Sequence, residues 1–166
     1  IENVFNVLQP LLSIEKVELP FSSSGLVSRL KNIRFIIGKV SPFIHITGHD
    51  HYLLWWPFKN TILTIHDIEA LKRKKGIKRW IFKKLWFDIP IHNAALVTTI
   101  SEFTKRELLS LTDYKTPIYV IHNPLTLSLT YSLKPFNCHC PRILHIGTKA
   151  NKNLPRLIEA LEGITC

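Results

Sequence analysis

Four short runs of β-branched and aliphatic residues, Phe43 to Thr47, Thr61 to Ile65, Ala95 to Ile100 and Pro117 to Ile121, alternate with segments of helical period. A continuous apolar run of that length suits a strand buried on both faces, and a sheet is covered on both faces when helices cross over between parallel strands. The intervening segments supply such helices. One is expected over Ile77 to about Phe87. Another is expected over Glu102 to Leu111, behind Ser101, whose hydroxyl can cap the free N–H groups of a first turn. Strands alternating with helices predict an α/β fold, a Rossmann-like parallel sheet with flanking helices.

The flanks extend the pattern. Val4, Phe5, Leu8, Leu11 and Leu12 recur at helical spacing over Glu2 to Leu12. Lys16 to Leu19 reads as a short strand closed by Pro20, and Ser24 as the cap of a helix through about Asn32. Near the other end, Arg142 to Thr148 reads as a short buried strand. A turn at Gly147 with Lys149 and Lys152 follows, then an amphipathic helix through Leu161. A glycine turn feeding a helix N-terminus beside ammonium groups is one way to hold phosphate. Between these regions Asn123 to Pro141 has no period and contains Pro124, Pro135 and Pro141. The expected organisation is a domain over 1–122, a linker over 123–141, and the start of a second Rossmann-like domain over 142–166.

Composition bounds the function. With 166 residues and 46% hydrophobic content the chain can bury a core, which excludes a disordered polypeptide. There is no run of about 18 apolar residues to span a bilayer, and no basic, apolar, small-residue leader. The chain opens on Ile1, and a cytoplasmic protein is the expectation. Three cysteines do not suggest a disulfide framework. Cys138-His139-Cys140 lacks a second pair at zinc-like spacing, so no metal or other cofactor is expected.

In a parallel α/β sheet, ligands bind beyond the carboxyl ends of the strands. Two polar clusters fall there: Thr47-Gly48-His49-Asp50-His51-Tyr52, and His66-Asp67. Imidazole can bond a sugar hydroxyl or a phosphate oxygen, or carry a proton near neutral pH. The same residues can equally satisfy backbone groups. If His49 and His51 alternated along a strand they could chelate a metal, but Gly48 predicts a turn, so loop hydrogen bonding is the better reading of these residues by themselves.

The basic balance is local. Lys and Arg number 22 against 12 acidic residues, a net charge of +10, and much of it lies between Lys72 and Phe87. Lys74, Lys75, Lys78, Arg79 and Lys83 are interleaved with Trp80 and other aromatics. Cations with aromatics suit an anionic bilayer surface. The alternative is a solvated helix whose aromatics face the sheet. Clustered cations also suit a phosphate backbone, but no nucleic-acid motif accompanies them, and nucleic acid is not the expected partner.

Several of these segments resemble one family. "ILHIGTKANKNLPRLIEAL" looks like the start of the second domain of family 4 glycosyltransferases, retaining enzymes with the two-Rossmann (GT-B) architecture. "VIHNPL" (Val120 to Leu125), "TILTIHDIEAL" (Thr61 to Leu71) and "VTTISEFTKREL" (Val97 to Leu108) are similar to further landmarks of that family, in the same order, and "IENVF" resembles its first helix. The resemblance implies a truncated first half of a GT-B architecture. It implies transfer of a sugar from a nucleoside-diphosphate donor to a glycan or lipid-linked hydroxyl acceptor, in polysaccharide or lipopolysaccharide synthesis.

Residue by residue, the resemblance implies that His66 lies close to the donor sugar, positioning it and stabilising charge. Asp67, His49 and His51 fall to the acceptor side. Lys152 implies contact with the donor diphosphate, with Lys149 as the alternative cation beside Gly147 and Thr148, the latter where many members carry Arg. The basic helix implies contact with the inner face of the plasma membrane. The family's Gly-rich loop would precede Ile1 and its paired glutamates would follow Cys166, so this stretch alone is expected to be an inactive fragment. The alternative is a non-catalytic basic α/β module binding anionic membrane or nucleic acid, or serving as a partner subunit.

Overall fold

The computed structural model describes residues 9–11, 14–39, 43–124, 132–139, 141–148 and 150–162. The chain divides into two compact units, Ile1–Leu127 and Ser128–Cys166. The expected helix over Glu2 to Leu12 lies mostly outside the described residues, of which 9–11 are helical.

The first unit is built on a parallel sheet of β1 (Ile44–Ile46), β2 (Thr61–Ile65), β3 (Leu96–Thr99) and β4 (Ile118–Val120), in the order β1-β2-β3-β4. It is α/β, as the alternation of periods predicts. Each of the four apolar runs, Phe43 to Thr47, Thr61 to Ile65, Ala95 to Ile100 and Pro117 to Ile121, forms a strand, trimmed by a residue at each end except for β2. Register brings Ile46, Leu63, Val97 and Ile118 into one row across the sheet. Ile46, Leu63 and Val97 are buried. Thr64 and Thr98, neighbours across β2 and β3, are polar yet buried, and their hydroxyls bond each other at 2.7 Å. His45 Nε2 meets Thr64 Oγ1 at 2.8 Å, so these polar atoms are satisfied within the sheet.

Helices cover the strands. α1 (Leu26–Ile37) buries Asn32, Ile33 and Ile36. Between β1 and β2 lies a 3-10 helix, His51–Trp55, with Tyr52 and Leu54 fully buried. Between β2 and β3 the chain forms α2 (Glu69–Lys72), α3 (Gly76–Lys83), a π-helical turn (Lys84–Asp88) and α4 (Ile89–Asn93). α5 (Glu102–Leu109) joins β3 to β4. Its cap is the expected one: Ser101 Oγ accepts from the Thr104 N–H at 3.1 Å.

Three readings are corrected. Lys16 to Leu19 is irregular rather than a strand, because it joins no ladder. Lys16 instead pairs with Glu18 at 3.0 Å, and Glu15 with Lys39 at 3.7 Å. Ser24 does not cap α1: Gly25 occupies the N-cap without a side-chain bond, Ser24 Oγ meets Ser22 Oγ at 2.9 Å, and the helix runs on to Ile37.

In the second unit, Arg142 to Thr148 is not a buried strand. Residues 141–148 are irregular and Leu144 is 85% exposed. A parallel strand needs a neighbour for its N–H and C=O groups, and no strand occurs among the described residues of this unit. What forms is a 3-10 turn, Ala150–Lys152, and α6 (Leu154–Leu161), with Pro155 in its first turn, where the missing N–H is harmless.

The helical run from α3 to α4 is tied to the loop before β4 through Asp88. Its Oδ1 accepts from Lys83 Nζ at 2.8 Å and from Tyr114 OH at 2.8 Å. Asp88→Ala is expected to lower the unfolding free energy by about 2 kcal/mol, and Tyr114→Phe by about 1 kcal/mol. Urea unfolding measures both. Midpoints equal to wild type would show that this tie does not stabilise the fold.

Candidate functional site

β2 delivers His66 to the carboxyl end of the sheet, where the structure fixes it from two sides. Its Nε2–H donates to the Thr47 carbonyl at 2.8 Å, just past β1. Its own carbonyl accepts from Thr104 Oγ1 at 3.0 Å, and Thr104 is held by the Ser101 cap. The segments "TILTIHDIEAL" and "VTTISEFTKREL" therefore meet at this one residue. Burial lowers the His66 pKa below its ordinary value; the bond to Thr47 opposes the shift and neighbouring His49 adds to it. The neutral ring with its proton on Nε2 keeps a lone pair on Nδ1. That nitrogen accepts a hydrogen bond, so it suits a sugar hydroxyl rather than a phosphate oxygen.

Beside it is a cleft of about 280 Å³ lined by His49, His51, Asp67, Ala70, Arg73, Phe82, Trp86 and Phe87. The His49 ring lies 6.1 Å from the His66 ring at an angle of 60°. Asp67 Oδ1 accepts from the Glu69 N–H at 3.0 Å, an Asx turn that starts α2 and fixes the aspartate in the cleft wall. Polar groups on one side and aromatic faces on the other can bind a ligand with hydroxyls and an apolar face, as a sugar ring has.

His51 is held differently from His49. It opens the 3-10 helix, is buried, and its Nδ1–H donates to the Trp86 carbonyl at 2.8 Å. The sequence gives a reason why that carbonyl is free. In an α-helix it would accept from residue 90, and Pro90 has no N–H. The chain widens into the π turn here. The preceding carbonyl, of Leu85, takes Trp55 Nε1–H at 2.7 Å. His51 Nε2 is buried without a partner among the described residues. Burial is the main cause that lowers its pKa to about 4. Strand-like alternation of His49 and His51 does not occur, and among the described residues no three His, Cys, Asp or Glu side chains form a group able to hold a metal.

The remaining sequence candidates fall in two places. Lys74, Lys75, Lys78, Arg79 and Trp80 lie on or beside α3. Lys83 departs from that set. Its side chain is 20% exposed, with the ammonium turned onto Asp88 and Thr112 Oγ1, the latter at 2.9 Å, because position 83 falls on the inward side of the helix. In the second unit, Gly147 has a φ of 94°, open to glycine but strained for other residues, and a Cβ there would sit 3.2 Å from Lys152 Cγ. The lysine stem thus packs over the glycine. Thr148 is in the same irregular stretch, and Lys149 lies outside the described residues.

Arg73, Phe82, Trp86 and Thr104 are not among the site residues that the sequence suggests. Thr104 had a signal, its place in the first turn behind Ser101. Trp86 had another, its place four residues before a proline.

Between about pH 4 and 6.5 the unfolded His51 binds a proton that the folded one excludes, so stability rises with pH across that window and is lost as pH falls through it. His66 acts in the same direction. The contribution of His51 is on the order of 3 kcal/mol. Replacing it, as in His51→Phe, is expected to flatten the fall in urea stability between pH 7 and pH 4 by that amount. An unchanged pH profile would rule out a buried neutral ring.

No protein-family model matches this chain, and neither a curated protein nor a solved structure is significantly similar to it.

Proposed function

We propose that this protein is a retaining GT-B glycosyltransferase of the family 4 type, moving a sugar from a nucleoside diphosphate to a hydroxyl acceptor in polysaccharide or lipopolysaccharide synthesis. The observation that carries this reading is the fixed tautomer of His66, whose Nδ1 lone pair stands at the end of β2, with neighbouring Asp67 and His49 lining an aromatic-walled cleft. His66 accepts from a sugar hydroxyl and holds the ring in place; it is not a nucleophile. His49, His51, Asp67 and Arg73 form the acceptor side. Lys152, with its stem over Gly147 beside Thr148, supplies the cation for the departing diphosphate, where developing negative charge needs a fixed counter-charge.

One observation favours a second reading, a basic module resting on an anionic membrane at the cytoplasmic face. α3 turns its apolar residues outward: Ile77 is 73%, Trp80 65% and Ile81 44% exposed. Among the described residues no helix is long and apolar enough to cross a bilayer, so contact would be at the surface.

Transfer is tested in a polypeptide carrying both Rossmann-like domains that this reading requires, by release of nucleoside diphosphate. His66→Ala is expected to reduce turnover about a hundredfold, and His66→Ala with Lys152→Ala to abolish it. A melting temperature close to wild type would show that both variants fold. Unchanged turnover in the double variant would overturn both assignments. In vesicle sedimentation, Trp80→Ala with Ile77→Ala is expected to release the protein from phosphatidylglycerol vesicles. Retention of that variant would overturn the membrane reading.

A further inference from the structure

A second recess, of about 290 Å³, adjoins the polar cleft and is lined by Lys74, Lys78, Ile81, Phe82, Leu85 and Trp86. Phe82 and Trp86 line both recesses, and their rings stack at 5.1 Å with an interplanar angle of 12°. One aromatic wall therefore has a polar cleft on one side and an apolar groove on the other. The groove opens beside the exposed stripe of α3, a helix with no buried residue.

The charges around the groove are of one sign. Lys72 is taken by Glu107 and Lys83 by Asp88. Among the described residues Arg73, Lys74, Lys75, Lys78, Arg79 and Lys84 have no acidic partner. Lys74 Nζ lies 4.7 Å from the Phe82 ring centroid, so one cation is held over the shared wall itself. A hydrocarbon chain suits the groove, a phosphate suits Lys74 and Lys78, and a hydroxylated headgroup suits His49, Asp67 and Arg73 beyond the wall. A neutral apolar peptide would meet the first of these features but not the cations.

We propose that the groove seats the tail of an anionic phospholipid, with its phosphate on Lys74 and Lys78, and that this lipid is the hydroxyl acceptor whose headgroup enters the cleft. This rests on reading the cleft as an acceptor site, and it narrows a glycan or lipid-linked acceptor to an anionic phospholipid.

The test titrates the intact chain with lauroyl lysophosphatidylglycerol below its micellar concentration. Binding is followed by calorimetry, and the His49 and His66 ring signals by NMR. One saturable equivalent is expected, at least tenfold tighter than lauroyl lysophosphatidylcholine, with both histidine signals shifting in step with occupancy. Ile81→Glu, a change at a half-exposed position, is expected to weaken binding at least tenfold. Lys74→Gln with Lys78→Gln is expected to erase the preference for the anionic lipid.

Absence of saturable binding, or equal binding of both lipids, would overturn the seat. Saturable binding that leaves the His49 and His66 signals unmoved would overturn the link to the cleft. So would tighter binding of a duplex oligonucleotide that displaces the lipid. Because these readouts need no sugar transfer, they separate failure of the lipid seat from failure of the transferase reading. The latter would show as absent turnover with lipid binding and histidine shifts intact.

Discussion

Two backbone carbonyls in a widened turn organise the side of the first unit that carries the cleft. Pro90 denies the Trp86 carbonyl its α-helical donor, the helix passes through a π turn, and the Leu85 and Trp86 carbonyls receive Trp55 Nε1–H and His51 Nδ1–H. A third bond, Asn93 Nδ2–H to the Leu54 carbonyl at 2.7 Å, completes the docking of the 3-10 helix onto the run from α3 to α4. A buried carbonyl without a donor costs about 1–3 kcal/mol, so the irregular turn is stable because these side chains satisfy it. π turns often mark functional sites, and this one places Trp86 in the wall between a polar and an apolar recess.

Tyr52 and Trp86 extend the same arrangement to α1. The Arg29 guanidinium lies 4.6 Å from the Trp86 ring and 5.7 Å from that of Tyr52, while Tyr52 OH accepts from Asn32 Nδ2–H at 2.9 Å. Ser23 reaches both Tyr52 and Asp50. Around His66 a separate network runs from the Ser101 cap through Thr104 to the His66 carbonyl, and from its ring to Thr47. Its effect is chemical as well as structural, because a ring whose proton is committed to a carbonyl presents only a lone pair elsewhere. In the neutral ring, His66 Nδ1 is therefore an acceptor only.

The strands were legible because residues buried on both faces are mostly aliphatic or β-branched, as in Thr61 to Ile65, where Thr61 and Thr64 satisfy their hydroxyls on Phe58 and Thr98. The Ser101 cap was legible because an uncapped first turn leaves free N–H groups that a hydroxyl can satisfy. Other elements depended on partners that local pattern does not contain. Lys16 to Leu19 and Arg142 to Thr148 have strand-like residues but, among the described residues, no adjacent strand to complete a ladder. Lys83 belongs to a basic run by sequence, yet its position on the helix points it at Asp88.

The sequence by itself determined the α/β class, the order of strands and helices along the chain, and the placing of His66 and Asp67 at a strand end, because period and breakers are local properties. It also set the basic character of α3. Only tertiary structure decided which way that helix turns, with Phe82 packed inward against Trp86 and Ile77, Trp80 and Ile81 facing out. It also decided which nitrogen carries the proton in His66 and His51, since Thr47 and Trp86 are brought there by other elements. Orientation and protonation are set by groups distant in sequence.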